Sequence, residues 1–281
     1  MLLRQKKDLS YKNLYLPNKN VLVGGNRTKS GLKNNNFFFS IITVVLNNAN
    51  HIEETINSVI NQKVNLEYII IDGGSVDGTL DIIKKYEKYL DLWISENDNG
   101  IYDAMNKGIK LSKGSVIGIL NADDIYYSNT LKIANKYFSN YNIDFLFGSV
   151  FKDRLLHGFW PKKIWYKFNI YPAHSCGFFV KKNVHKKIGL YDTTFKYSSD
   201  RDFIYKILKK NLKGMCADKY EVFGKFNPYG ISSKVSFLRT VFEEFYIRIK
   251  NGQSTLTLIL VFFLIFINKF YNFFLRTKSK Y

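Results

Sequence analysis

Apolar runs alternate with segments of helical periodicity along the first half of the chain. Residues 38–46, 66–71, 92–94 and 115–120 are nearly continuous apolar runs, as expected of strands buried on both faces of a sheet. Between the first two runs, Ile52, Ile56 and Val59 recur at helical spacing, and residues 101–111 also have a helical pattern. The alternation predicts an α/β fold with a mostly parallel sheet and helices on both faces.

The second half carries a less regular pattern. Residues 145–151 and 177–180 are predicted strands, and residues 203–208 a predicted helix. Residues 236–250 have the pattern of an amphipathic helix. Its predicted buried stripe consists of Leu238, Val241, Phe242, Phe245 and Ile249.

An apolar segment follows at residues 256–267, interrupted only by Thr257. It is shorter than the ~20 residues that a bilayer crossing needs. Continuing to residue 275 supplies the length but includes Asn268, Lys269 and Asn272. We expect either interfacial membrane attachment or a buried helix, in preference to a complete span.

The predicted organisation is a basic extension at 1–36, a domain at 37–228 and C-terminal helices at 229–281.

Composition narrows the choice of partners. The 281 residues are 46% hydrophobic, which excludes a disordered chain, and the formal net charge of +19 points to an anionic partner. Because no zinc-finger spacing or basic face interleaved with aromatics accompanies the charge, phosphorylated substrates or an anionic membrane surface are expected rather than nucleic acid. Cys176 and Cys216 are too few for a disulfide framework. The N-terminus lacks the apolar core of a signal peptide, so a cytoplasmic location is expected.

Carboxylates follow two of the predicted strands. Asp123 and Asp124 come after the run at 115–120, either as ligand-binding acids at the carboxyl edge of the sheet or as a cap of the next helix. Asp72 ends the run at 66–71 and is followed by two glycines. Its carboxylate is suited to accept a hydrogen bond from the ring N–H of a base. Asp77 and Thr79 have the alternative role of capping the following helix.

Residues 95–108 are unusually polar for a connection into a helix. Their amides and Lys107 are candidates to face phosphate groups, as helix N-termini commonly do. The alternative is a well-capped surface helix. The same stretch supplies Asp98 and Asn106 as further candidates for donor binding.

Taken together, residues 40–47, 69–79, 95–109, 119–124 and 198–203 resemble family 2 glycosyltransferases of the GT-A fold. The chain is most similar to the branch that builds bacterial capsules, exopolysaccharides or O-antigens, over roughly residues 39–210. The resemblance implies an inverting transfer from a nucleotide sugar, UDP- or GDP-linked, to a glycan or lipid-linked acceptor. It also implies attachment at the inner face of the plasma membrane.

The resemblance assigns roles to individual residues. Asp72 is expected to bind the base, beside Val44 and Leu46, and Asp123 to bind Mg²⁺ or Mn²⁺ with the donor diphosphate.

Asp200 is expected to be the general base, and His174 to lie near the acceptor. Two positions depart from the family pattern. Asn121 replaces the first acid of the D-x-D motif and is expected to bind the ribose, and Ser199 stands where Glu often precedes the base. Asp202 is the alternative base.

Two other functions remain open from the residues alone. A nucleotidyltransferase on a similar scaffold would release pyrophosphate, although the glycine-rich nucleotidyl signature near the first strand is missing. A non-catalytic membrane-surface protein that kept the fold would turn over no nucleotide sugar.

Overall fold

A computed structural model describes residues 21–29, 38–167, 170–230 and 235–278. The strands are β1 (Leu22–Gly24), β2 (Phe39–Val45), β3 (Leu66–Asp72), β4 (Leu92–Ser95), β5 (Val116–Asn121), β6 (Ile125–Tyr126), β7 (Phe145–Phe147), β8 (Ser149–Phe151), β9 (Leu155–Leu156), β10 (Phe178–Lys181), β11 (Gly214–Cys216) and β12 (Val222–Lys225). The α-helices are α1 (Asn26–Lys29), α2 (Ile52–Ile60), α3 (Thr79–Lys85), α4 (Ile101–Leu111), α5 (Thr130–Asn140), α6 (Lys182–Ile188), α7 (Ser199–Lys209), α8 (Phe237–Lys250) and α9 (Thr255–Lys278).

Eight of these strands form one sheet in the order β1-β4-β3-β2-β5-β10-β7-β11. Strands β4, β3, β2 and β5 are parallel neighbours, which confirms the α/β fold predicted from the apolar runs. Neighbouring residues of β2 face opposite sides, so Ile41 packs with α2, α3 and α5, whereas Ile42 packs with α4, α6 and α7. Both faces are covered, and for this reason the strands are apolar throughout.

The second half of the sheet is mixed rather than parallel. Strand β10 runs antiparallel to both β5 and β7. The run at 145–151, predicted as one strand, is divided at Gly148 into β7 of the large sheet and β8 of a four-stranded sheet ordered β6-β12-β8-β9. A Cβ at Gly148 would lie 2.1 Å from the Phe223 ring, so the chain can change sheets here only with glycine.

Part of the predicted N-terminal extension belongs to the fold. Strand β1 pairs antiparallel with β4, and the Arg27 guanidinium forms a buried ion pair with Glu67 at 3.1 Å. Arg27 also donates to the Leu111 backbone oxygen at 3.0 Å. The expectation of a surface extension is therefore wrong for residues 22–29, and residues 1–20 and 30–36 lie outside the described part.

Helix α8 docks on the rest of the chain through Ile247, which is buried in the main core, and through two charged residues. Helix α8 begins after Ser236, whose hydroxyl accepts from the Arg239 backbone N–H at 3.3 Å. Its buried face contains Glu244 and Arg248, whereas Leu238, Phe242 and Ile249 of the predicted buried stripe are exposed. The prediction of the buried stripe was correct for Val241 and Phe245, which pack against α9, and wrong for the other three residues, because the paired Glu244 and Arg248 occupy the buried face instead. No helix within the described residues is long and apolar enough to cross a membrane.

Candidate active site

The carboxyl ends of four parallel strands meet at one edge of the large sheet. Val45 of β2 pairs with Asp72 of β3, and Asp72 pairs in turn with Ser95 of β4. On the other side of β2, Val44 pairs with Asn121 of β5. Open α/β sheets bind ligands at this edge, and the polar segments predicted from the sequence lie together there.

Asp72 is a structural anchor at this edge. It is only 1% exposed, and its carboxylate accepts from the Ser95 hydroxyl at 2.6 Å and from the Ser75 hydroxyl at 2.5 Å. The Ser75 backbone N–H donates to it at 3.1 Å. Because both oxygens are occupied by the protein, the expectation that Asp72 binds the base directly does not fit this geometry.

Asp98 presents the carboxylate that lies beside the strand ends. A Cβ at Gly73 would come within 2.5 Å of Asp98 Oδ2 and 3.4 Å of a Leu46 methyl carbon. The other oxygen, Oδ1, accepts from the Gly100 backbone N–H at 2.8 Å. Leu46 is 51% exposed and borders this space, whereas Val44 is buried in the core. The glycine after Asp72 thus allows Asp98 to approach the end of β3.

Asp77 and Thr79 tie two loops together at the start of α3. Asp77 accepts from the Thr79 backbone N–H at 3.0 Å. The cap position of α3 is Gly78, with no side-chain capping bond, and Thr79 is the first residue of the helix, so the expectation that Thr79 caps it is wrong. The second oxygen of Asp77 accepts from the Ala49 N–H at 3.0 Å, and the Thr79 hydroxyl accepts from the Asn48 N–H at 2.9 Å. The two side chains hold the loop after β2 against the loop after β3.

Asn106 and Lys107 also have structural partners. The amide of Asn106 donates to the Tyr191 backbone oxygen at 2.8 Å and accepts from the Tyr191 N–H at 3.0 Å. The Lys107 ammonium lies 2.9 Å from Glu96 and 3.4 Å from Asp103. Since their polar groups are occupied, we leave both residues out of the donor site, and α4 instead supplies Tyr102.

The end of β5 holds a carboxylate and an amide oxygen with few partners. Asp123 is partly buried, and burial raises the pKa of its carboxyl. Its Oδ2 accepts from the Asn227 side-chain amide at 3.3 Å. The nearby Asn121 Oδ1 is buried and has no hydrogen-bond partner among the described residues. Buried oxygens are normally satisfied, so an unmatched one at a sheet edge indicates a ligand.

Asp124 has a different environment from its neighbour. It is buried, and desolvation together with the adjacent Asp123 charge raises the pKa of Asp124 to about 7. Its Oδ1 accepts from the Asn227 backbone N–H at 2.8 Å. Helix α5 begins only at Thr130, so the alternative that Asp124 caps this helix is wrong. Asp124 instead binds the backbone of Asn227, and this bond holds the Asn227 side chain next to Asp123.

The oxygens at this strand end suit a divalent cation bound together with a phosphate. No group of three or more His, Cys, Asp or Glu side chains in the described ranges is arranged to hold a metal alone. Mg²⁺ commonly takes one or two carboxylates and completes its shell with water and substrate phosphates. Asp123 and Asn121 supply oxygen donors of this kind, so the residues fit the expected ion.

Asp200 is held by two tyrosine hydroxyls in the first turn of α7. Tyr102 donates to Oδ1 at 2.9 Å and Tyr171 donates to Oδ2 at 3.0 Å. Burial, with the Asp200 charge as a second cause, raises the pKa of both tyrosines well above the ordinary value. Both hydroxyls therefore remain protonated donors that orient the carboxylate.

His174 lies close to this pair but is buried. Its Nε2 is 2.6 Å from the Tyr191 hydroxyl, and desolvation lowers the pKa of His174 against the opposing Asp200 charge. The imidazole is therefore neutral at neutral pH. The Asn121 backbone N–H donates to Ser175 at 2.8 Å, which connects the end of β5 to the segment that carries His174.

Asp202, the alternative base, points away from this site. It is fully buried, accepts from the Asn251 amide at 2.9 Å and pairs with Lys206 at 2.6 Å. Its contacts are with the C-terminal turn after α8. Asp200 is thus the carboxylate of α7 that lies beside Tyr102 and His174.

Sequence reasoning missed three residues that position the acids. Tyr102 lies inside the polar stretch singled out above, but its role depends on a partner 98 residues away. Tyr171 and Asn227 lie in irregular segments. The only local signal near Asn227 is the turn-forming pair Pro228 and Gly230.

The family model for glycosyl transferase family 2 matches residues 40–197, more than half of the chain. An uncharacterized glycosyltransferase of Rickettsia typhi is 32% identical over 187 residues, which cover 60% of this chain and 58% of the relative. A PGL/p-HBAD biosynthesis glycosyltransferase of Mycobacterium bovis is 30% identical over 175 residues, covering 59% and 67% respectively. The chain thus spans about three fifths of the Rickettsia relative.

Solved structures share the fold. TarS residues 1–349 of S. aureus in complex with UDP-GlcNAc superposes with a TM-score of 0.61 at 18% identity, covering 79% of this chain and 70% of that one. The mannosyltransferase PcManGT of Pyrobaculum calidifontis, in complex with GDP-Man and Mn²⁺, has a TM-score of 0.59 at 17% identity, covering 80% and 67%. The GT-A fold expected from the sequence is confirmed, and the family match establishes that this chain belongs to glycosyl transferase family 2.

Proposed function

We propose that the protein transfers a sugar from a UDP- or GDP-linked donor to a glycan or lipid-linked acceptor, with inversion, in the assembly of a surface polysaccharide. The observation that carries the proposal is the pair of acidic centres: Asp123 beside an unmatched Asn121 oxygen, and Asp200 held by two protonated tyrosines. Family membership supports the reaction class. The UDP-GlcNAc and GDP-Man complexes of the structural neighbours support a nucleotide-sugar donor.

On the donor side, Asp98 accepts the ring N–H of the base in place of Asp72. Uracil and guanine both offer such an N–H, and the apolar Leu46 side chain lies beside the Asp98 carboxylate. Asn121 binds the ribose or the cation through its unmatched oxygen. Asp72 keeps Ser75 and Ser95 in place behind these groups.

Asp123 and Asn121 would hold the divalent cation. When bound, Mg²⁺ or Mn²⁺ offsets the negative charge that grows on the departing nucleoside diphosphate. The Asn227 amide orients the Asp123 carboxylate, and its backbone N–H fixes the loop through Asp124. Such outer partners commonly control metal affinity.

Asp200 removes the proton from the acceptor hydroxyl as that oxygen attacks the anomeric carbon. The bond from the anomeric carbon to the phosphate oxygen breaks at the same time, and its electron pair leaves with the nucleoside diphosphate. A single displacement of this kind inverts the anomeric centre. General bases need a fixed position within hydrogen-bond reach of the proton, which Tyr102 and Tyr171 provide. Neutral His174 lies beside this base and lines the acceptor side.

The protein works peripherally at the inner face of the plasma membrane. The exposed apolar residues of α8 and α9 support attachment there, and the net charge of +19 favours an anionic surface.

The test is a product assay with UDP- and GDP-sugars in the presence of Mn²⁺. We expect nucleoside diphosphate release by the wild type, and loss of roughly 100-fold or more of the rate in Asp200→Asn and Asp123→Ala, as general-base and metal effects of this size imply. Asp81→Asn, on the exposed first turn of α3, is the matched control and should keep full activity.

Three outcomes would contradict the proposal. Pyrophosphate release would indicate a nucleotidyltransferase. A wild type that turns over no nucleotide sugar would indicate a non-catalytic protein. Full activity in a folded Asp200→Asn variant, with folding checked by circular dichroism, would remove Asp200 as the base.

A further inference from the structure

Helix α8 buries the charged pair Glu244 and Arg248 beside Val241 and Ile247, and it exposes several large apolar side chains together with Arg239 and Lys250. Glu244 and Arg248 are 1% and 0% exposed. The outer residues are 42–70% exposed: Leu238, Phe242, Tyr246 and Ile249. A surface helix of a globular protein in water normally buries its large apolar side chains and exposes its charged ones. The outer face of α8 is therefore suited to a partner that is less polar than water.

The buried charges of α8 are fully paired. Arg248 Nε lies 2.7 Å from Glu244 Oε1, and Glu244 Oε2 lies 3.2 Å from the Arg201 guanidinium of α7. A buried charge is tolerated only with such partners. The orientation of α8 is thus set by specific ion pairs, so the apolar residues face outward because of the fold itself.

Helix α9 continues the exposed apolar surface. Leu258 and Phe262 pack against Val241 and Phe245 of α8. Seven large apolar side chains of α9 are 46–81% exposed: Leu256, Ile259, Leu260, Phe263, Leu264, Phe266 and Ile267. Patches of this size on soluble proteins commonly mark an interaction site.

A loop at residues 160–167, here called the aromatic loop, is attached to the same helices. The Arg248 guanidinium donates to the backbone oxygens of Trp165 at 2.9 Å and Lys167 at 3.0 Å. Gln253, in the turn between α8 and α9, donates to the Trp165 oxygen at 2.8 Å. These bonds fix the loop at the end of α8, next to the start of α9.

The aromatic loop exposes a mixture of aromatic and basic side chains. Trp160, Trp165 and Tyr166 are 44–53% exposed, and Lys162, Lys163 and Lys167 alternate with them. Trp and Tyr favour the headgroup region of a bilayer, and each Lys near an anionic leaflet adds electrostatic attraction. Protein interfaces are also enriched in Trp and Tyr but are depleted in Lys, so the combination of aromatic and lysine side chains favours a lipid surface.

We propose that the outer faces of α8 and α9 and the aromatic loop form one surface that binds an anionic lipid bilayer and turns the acceptor side of the active site toward it. The loop residues Ile164 and Lys167 border a cleft that is also lined by Tyr171 and Arg201. Tyr171 donates to Asp200. The orientation of Asp200 toward a membrane-borne acceptor rests on the sugar transfer of the proposed function, whereas bilayer binding by these residues does not depend on that reaction.

The experiment is sedimentation of the full chain with vesicles of phosphatidylcholine, with or without phosphatidylglycerol. Lys162→Gln, Lys163→Gln and Lys167→Gln together should weaken partitioning onto the anionic vesicles about 100-fold, since each lysine contributes about fivefold. Trp160→Ala with Trp165→Ala should weaken partitioning onto both vesicle types. The combined Lys84→Gln, Lys88→Gln and Lys110→Gln variant removes the same charge from exposed positions outside the surface and should retain most of the binding.

Three results would contradict the proposal that this surface binds a bilayer. The first is a wild type that sediments with neither vesicle type, and the second is equal binding by the two lysine variants. The third is a dimer in light scattering that Leu238→Ser with Phe242→Ser converts to monomer without loss of vesicle binding, which would assign the face to a second copy. Nucleoside diphosphate release in the absence of vesicles separates the two proposals. If release is missing in the wild type while the lysine dependence holds, the proposed function fails and the surface stands.

Discussion

The two hydroxyls on Asp200 allow a direct test of how the base is positioned. Tyr102→Phe and Tyr171→Phe each remove one donor and keep the ring. The Tyr102 ring packs 5.7 Å from Tyr191 and the Tyr171 ring stacks 5.2 Å from Phe147. These contacts remain in the variants, so the change is confined to one bond of 2.9 or 3.0 Å to the carboxylate.

The size of the effect follows from the type of bond. A hydrogen bond to a charged group contributes roughly 1.5–3 kcal/mol. If the lost bond misplaces Asp200 in the transition state, kcat falls about 10- to 150-fold in each single variant. The two hydroxyls share one carboxylate, so the double variant should lose less than the product of the single losses.

The assay is nucleoside diphosphate release at saturating acceptor, with kcat and the KM for the nucleotide sugar measured separately. We expect kcat to fall and the donor KM to stay unchanged, because Asp98 and Asp123 are untouched. In an Asp200→Asn background the same substitutions should have little further effect. Tyr137→Phe is the matched control, since its hydroxyl donates to a carboxylate of Glu221 at 2.6 Å away from the site.

Equal loss of kcat in the Asp200→Asn background would refute the reasoning, because the tyrosines would then act independently of the base. A kcat loss in Tyr137→Phe as large as in Tyr102→Phe would attribute the effect to general destabilisation. An unchanged kcat in both site variants would show that Asp200 needs neither hydroxyl.

Three further predictions concern the donor side and stability. Asp98→Ala should weaken binding of UDP or GDP about 10- to 150-fold by calorimetry, whereas Asp72→Ala should mainly lower the melting temperature; the reverse pattern would return base binding to Asp72. Asn227→Ala should raise the Mn²⁺ concentration needed for half-saturation about tenfold in a titration with nucleoside diphosphate, and an unchanged titration would contradict the role of its amide. Burial lowers the pKa of His185 from 6.5 to about 4, so the folded state binds fewer protons and the free energy of unfolding falls as the pH drops below 6.5. His185→Phe should reduce the loss between about pH 7.5 and about pH 5 by about 2 kcal/mol in urea titrations, and an equal loss in both proteins would exclude this histidine as the cause.

The central strands were predictable because burial on both faces requires continuous apolar runs. Strands β2 to β5 have such runs and lie side by side. The direction of β10 could not be read in the same way, since a short run such as residues 178–181 is equally apolar in either direction. The change of sheets at Gly148 depends on contact with the Phe223 ring. Because Phe223 is distant in the sequence, the residues around Gly148 do not predict this change.

Three of the five residues predicted to form the buried stripe of α8 are exposed, for a related reason. Its apolar periodicity is regular, and the usual interpretation places that stripe inside. The interior instead offers Arg201 and the backbone oxygens of the aromatic loop, which pair with Glu244 and Arg248. Periodicity reports that a helix has two unlike faces, whereas the partners available in the fold decide which face is buried.

The partners available in the fold also distinguish two acids, Asp72 and Asp98, that look equivalent in the sequence. Asp72 and Asp98 both lie at the sheet edge, and pattern alone favours Asp72 because it ends a strand beside glycines. Three hydroxyl or N–H donors from Ser75 and Ser95 occupy Asp72, while Asp98 keeps one oxygen at the space beside Leu46. A carboxylate already satisfied by the protein gains little from a ligand N–H. The motif therefore locates the proposed donor site, and the hydrogen-bond partners favour Asp98 over Asp72 as the acid proposed to bind the base.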